Sequence, residues 1–186
     1  MQKEQSMMNE TVGMVSLFDY FFAIIDTAKK NKLSQQSYLR AYYFEVISNL
    51  EILKCINLDS LSTIPVNTPA IKGIIDNLET EVGLSLLFKE KPNHDLNKFF
   101  KCEGKIEYKK ESDQDLEEEK DENILKAISF VVTKIVVLKK IANLNDNQIK
   151  KYKKLRIGVR IKNINERLRM IKEKMDGLPE IEDLIK

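Results

Sequence analysis

The sequence predicts an all-α fold, a mostly antiparallel four- to five-helix bundle with one long crossover connection. Three observations lead there. Apolar residues recur at alternating spacings of three and four along most of the chain, the period that keeps them on one helical face. Only 6 Gly and 4 Pro interrupt 186 residues, and there is no Trp, which suits a few long helices better than many short strands. The stretch from Ile124 to Ala142 is apolar nearly all round, as a central buried helix is. A chain of this length buries roughly 70% of its unfolded surface in one core, so 1–186 reads as a single helical domain.

Residues 1–11 are a polar, loosely held start. A first helix is expected over about 12–31, where Met14, Leu17, Phe18, Phe21, Ile24, Ile25 and Ala28 make one stripe, and Lys29, Lys30 and Lys32 suit its negative pole. Ser34 then caps a helix over about 35–57. Its seam is Leu39, Tyr43, Val46, Leu50 and Leu53. A second line, Tyr38, Tyr42, Glu45, Asn49, Ile52 and Ile56, mixes aromatics with a carboxylate and an amide, so this helix is expected to be covered on more than one side. After a loop over 57–67, Thr68 and Pro69 open a helix over about 69–89, with Ile71, Ile74, Ile75, Leu78, Val82 and Leu86 inward. Gly73 and Gly83 either weaken it or permit close packing.

Residues 90–112 form the irregular crossover. Leu96 to Phe100 make a short helical turn held by two Phe rings, and the alternation of Lys105, Ile106, Glu107 and Tyr108 is too short for a sheet. The acidic run that follows, from Asp113 to Glu122, is either the first turns of a helix or an acidic loop with the helix beginning near Asp121. That helix carries Ile124, Ile128, Val131, Ile135, Leu138 and Ala142 as its seam. The last long helix spans 145–175, along Ile157, Ile161, Ile164, Leu168, Ile171 and Met175, until Gly177 and Pro179 stop it. Residues 176–186 are a tail or one short helix.

The net charge of +2 implies no polyanionic partner by itself; its distribution matters more. Cys55 and Cys102 have neither metal-ligand spacing nor a disulfide framework, which fits a reducing cytoplasm. The most apolar segment, Ala127 to Leu138, is about half a membrane span and contains Lys134, so no membrane partner is expected. Bundle metal sites need Glu-x-x-His pairs, and the sole histidine, His94, lies in the crossover. Neither a nucleophile–histidine pairing nor a phosphate-binding glycine loop is legible, so no catalytic residue, metal or cofactor is expected.

Two groups remain as candidate sites. The first is a polar cluster on the second helix: Arg40, Tyr42, Glu45 and Asn49. It is either a binding pocket with a proton-handling carboxylate or a hydrogen-bond network that sets helix register. The second is cationic. In a helical hairpin turning at Leu144, Glu118, Glu119, Asp121 and Glu122 approach Arg167, Arg169, Lys172 and Lys174, and neutralise that half of the basic flank. Lys139, Lys140, Lys150, Lys151, Lys153, Lys154 and Arg156 gather at the tip without such partners, as a candidate surface for nucleic acid or an acidic protein.

In helix content the chain resembles the HEPN ribonucleases, whose hallmark is Arg followed four to six residues later by His on one helix. Here Arg40 is followed by Ala41, Tyr42, Tyr43, Phe44, Glu45 and Val46, with no histidine. The resulting expectation is a non-enzymatic helical scaffold or accessory subunit binding a protein partner or itself. An electrostatic nucleic-acid binder is the alternative, and a bundle enzyme without its usual motif is the third reading.

Overall fold

The computed structural model describes residues 35–56, 68–88, 92, 94–109, 117–145 and 157–185. The chain is mostly helical. In order, the elements are α1 (Gln35–Lys54), α2 (Pro69–Asp76), α3 (Glu81–Leu87), α4 (His94–Lys101), β1 (Glu103–Lys109), β2 (Glu117–Asn123), α5 (Ile124–Ala142), α6 (Ile157–Asp176) and α7 (Pro179–Ile185). The expected helix over 12–31, the loop 57–67, residues 111–116 and the tip 146–156 lie outside the described residues.

The core is organised along α5, whose whole seam is buried and which touches α2, α3, α4 and α6. Its circumference is not fully covered: Leu125 and Val136, on the expected apolar wrap, stand exposed. The seam of α6 is buried from Ile161 to Met175, and α6 packs against α5, α1 and β1. Both apolar lines of α1 are used. Leu39, Tyr43, Val46, Leu50 and Leu53 are buried, and so are Tyr42, Glu45, Asn49, Ile52 and Ile56 on the second line. The C-terminal residues make the short helix α7.

The all-α expectation fails at one place. Residues 103–109 and 117–123 form a two-stranded antiparallel sheet, with Gly104 opposite Glu122, Ile106 opposite Lys120 and Tyr108 opposite Glu118. The irregular crossover is therefore a helix, α4, running into a strand. The described part of the acidic run, 117–122, is a strand instead of a helix start or a loop. Acidic residues are depleted in strands because water usually solvates them better elsewhere, but here each inner carboxylate finds a donor. Tyr108 donates its hydroxyl to Glu118 at 2.6 Å, and Arg167 from α6 lies 2.7 Å from Glu122. On the outer face Lys105 stands opposite Asp121. The ribbon leads straight into α5. Ile124 donates its N–H to the Cys102 carbonyl at 3.0 Å, and Asn123 caps the helix by accepting the Lys126 N–H at 2.9 Å.

Gly104 decides how closely this ribbon approaches α6. A Cβ there would stand 2.5 Å from Met170 Cγ and 2.6 Å from its Sδ, inside van der Waals contact. Gly104→Ala is expected to lower stability by ~1–3 kcal/mol, the usual cost of forcing an extra carbon into a packed contact. In a thermal melt, Met170→Ala in the same chain should recover part of that loss; no recovery would mean the clash lies elsewhere.

The helix expected over 69–89 is two helices, broken at 77–80. Asn77 folds its amide back onto the Gly73 carbonyl at 2.9 Å, and the Leu78 N–H closes on the Ile75 carbonyl at 3.2 Å. The break buries Leu78 completely. The two glycines separate cleanly. A Cβ at Gly73 would meet nothing within 4 Å, whereas one at Gly83 would come within 3.0 Å of both Glu45 Oε1 and Tyr42 Cε2. Gly83 is a close-packing position; Gly73 is not.

Candidate functional site

The polar cluster of α1 divides into two parts. Tyr42, Glu45 and Asn49 are three and four residues apart and share the helical face turned to α3. Arg40 points elsewhere and donates its Nε–H to the Glu180 carbonyl at 3.1 Å, holding α7. On the seam side of the same helix, Tyr43 donates its hydroxyl to Asp176 at 2.7 Å, and Lys172 donates to the other oxygen of that carboxylate at 2.6 Å.

Glu45 is 3% exposed. Its two oxygens accept the backbone N–H groups of Val82 at 2.7 Å and Gly83 at 3.0 Å. These are first-turn donors of α3, which a helix leaves without internal acceptors. Thr80, at the N-cap position, makes no side-chain cap bond, so Glu45 supplies the cap from another helix. One turn further on, Asn49 clamps the break between α2 and α3. Its amide donates to the Glu79 carbonyl at 2.8 Å, and its oxygen accepts the Glu79 N–H at 2.7 Å. Burial pushes the Glu45 carboxyl up to about 7; the two backbone donors pull the other way, and the nearby carboxylates of Glu79 and Glu81 add to the rise. The Tyr42 hydroxyl is buried beside it with no hydrogen-bond partner, and burial, then Glu45, drives its pKa well above the ordinary value.

The cationic candidates fare unevenly. Lys139 is half-buried and Lys140 exposed in the last turn of α5, while Lys150, Lys151, Lys153, Lys154 and Arg156 lie outside the described residues. Of the acidic–basic approaches expected between 118–122 and 167–174, Glu122 with Arg167 forms as an ion pair. Arg169 stands 3.8 Å from Glu166 within its own helix, and Lys172 pairs with Asp176. The alternation of a strand sends Glu119 and Asp121 to the exposed face, away from α6.

A second polar group was not legible as a site. Arg167 is 2% exposed, its guanidinium 3.7 Å from the centre of the Phe130 ring, its Nη1 donating to the Asn163 carbonyl at 3.0 Å. Glu122 faces it and also accepts Lys120 Nζ at 3.1 Å. Burial draws the Arg167 pKa down, and Glu122 opposes the shift. The signal was present in the spacing: Arg167 falls three residues after Ile164 and four before Ile171, on the buried seam.

No protein-family model, curated protein or solved structure matches the chain. Among the described residues, no group of three or more His, Cys, Asp or Glu is placed to hold a metal ion, and no helix is long and apolar enough to cross a membrane.

Proposed function

We propose that the chain is a non-enzymatic helical interaction protein, a scaffold or accessory subunit that binds a protein partner or a second copy of itself. The frame of this reading is a single domain over 1–186 whose helices pack as a mostly antiparallel bundle. The observation that carries it is where the candidate cluster's polar groups end. Glu45 and Asn49 bind the backbone of residues 79–83, and Arg40 binds the backbone of α7. These groups hold elements of the fold together. Support of another kind comes from the surface, where Phe88 is 76% exposed and Leu84, one turn before it, 44%. Free Cys55 and Cys102 fit a reducing compartment.

The test is purification of the tagged full chain from its native host under rising salt. A protein retained in stoichiometric amount through high salt is the expected result. Recovery of nucleic acid alone, lost steeply as salt rises, would replace this reading with electrostatic binding through the basic tip.

A further inference from the structure

The sheet has two strands, so β1 turns one row of backbone N–H and C=O groups away from β2, and no third strand pairs with that edge among the described residues. Such an edge is a template for another strand. The charges along β1 specify which one. On its outer face Glu103, Lys105 and Glu107 are exposed, and the next position in the same row is Lys109. We infer that β1 pairs antiparallel with β1 of a second copy about a dyad at Ile106, so that two ribbons join into a four-stranded sheet. This rests on the self-association form of the interaction reading above.

In that register Lys105 stands opposite Glu107 of the second copy, and Glu103 opposite Lys109; every outer-face pair is of opposite charge. Shifting by two residues sets Lys105 against itself in one direction and Glu107 against itself in the other. Shifting by one sets the outer face of one strand against the inner face of the other. A parallel pairing in register puts like against like throughout. The same exercise on β2 sets Glu118 against Glu122 and Glu119 against Asp121, which repel. On the inner face the β1 dyad sets Ile106 against Ile106, an apolar pair. Within one chain Glu107 stands opposite Glu119, a like-charge pair. Lys105 of the second copy supplies a cation on its other side.

The pairing puts both α6 helices on one face of the joined sheet, since each packs against its own β1. Two seven-residue edges make a small contact, so the dimer is weak and concentration-dependent.

Sedimentation equilibrium of the full chain at low salt, from micromolar to millimolar, should show the mass rising from 21.6 kDa toward twice that value. Glu107→Lys replaces a repulsive pair in the ribbon with an attractive one, so it leaves the fold intact while weakening association about tenfold. The double variant Lys105→Glu with Glu107→Lys, made together with Asp121→Lys so that position 105 keeps an opposite charge across its own ribbon, exchanges both edge charges and should restore association to within about threefold. Hydrogen exchange should show concentration-dependent protection of outward amides on β1 and none on β2. A constant monomer mass, an association indifferent to Glu107→Lys, or a double variant no better than the single would overturn the pairing. A stoichiometric partner protein purified on a monomeric chain would sink the β1 pairing alone and leave the broader interaction reading standing.

Discussion

Glu45→Ala is expected to destabilise the chain by ~2–5 kcal/mol, because it leaves two buried backbone donors without acceptors and opens a cavity where the carboxylate sat. The donors are the Val82 and Gly83 N–H groups at the start of α3, and no cap from Thr80 is there to replace Glu45. Its pH dependence follows from the burial of the carboxyl. An unfolded Glu45 titrates near 4.5 and the folded one near 7, so between those values the folded state holds a proton that the unfolded state has released. The stabilisation is therefore complete below about pH 4.5 and is lost as pH rises through about 7, by ~3 kcal/mol in all. Urea unfolding of the wild-type chain at pH 5 and pH 8 should show this difference. Glu45→Gln removes the titrating group, keeps one acceptor oxygen, and should flatten that part of the profile. An unchanged pH slope in the Gln variant would assign the effect to another residue. If Glu45→Gln folded normally yet abolished a measurable activity, the reading of Glu45 as a cap would fail.

Arg167→Ala should be the second large loss, ~3–5 kcal/mol, since removing one member of a buried ion pair strands the other. Glu122 is 8% exposed, and only Lys120, itself partly in water, would remain beside it. Stacking on Phe130 and the bond to the Asn163 carbonyl are lost as well. Replacing both partners by apolar side chains, Arg167→Met with Glu122→Leu, should recover most of the stability, because burying two charges costs nearly as much as their attraction returns. Chemical denaturation of the single and double variants separates the cases. A double variant as unstable as Arg167→Ala would mean that the ion pair is worth more here than a packed apolar contact.

The difference between Glu45 and Arg167 shows what kind of information a sequence carries. Glu45 and Asn49 were legible as buried, because they fall at helical spacing on a line of apolar residues, and a buried polar group must find partners. Their partners were not legible: residues 79–83 lie some thirty positions further on, and nothing local marks that backbone as the acceptor and donor they need. Arg40 belonged to the same cluster by proximity along the chain, yet it sits on another face of α1 and ends 140 positions away at Glu180. The sequence placed Arg167 beside Glu122 in an exposed, neutralised flank, and that pair forms; its burial was not legible, because it depends on 117–123 becoming a strand that turns Glu122 inward.

The chain's own sequence determined which faces of its helices are apolar, where α6 stops and that α1 is covered on two sides, because a period of 3.6 residues is a local property that needs no other element. Only the tertiary structure decided the rest. It set the break between α2 and α3, the β ribbon made from an acidic segment, and the burial of Arg167. Each of these depends on a group supplied from elsewhere in the chain: Asn49 and Glu45 for the break, Tyr108 and Arg167 for the carboxylates of β2, Glu122 and Phe130 for the guanidinium. A residue's local propensity yields where a distant partner removes the cost of burying it.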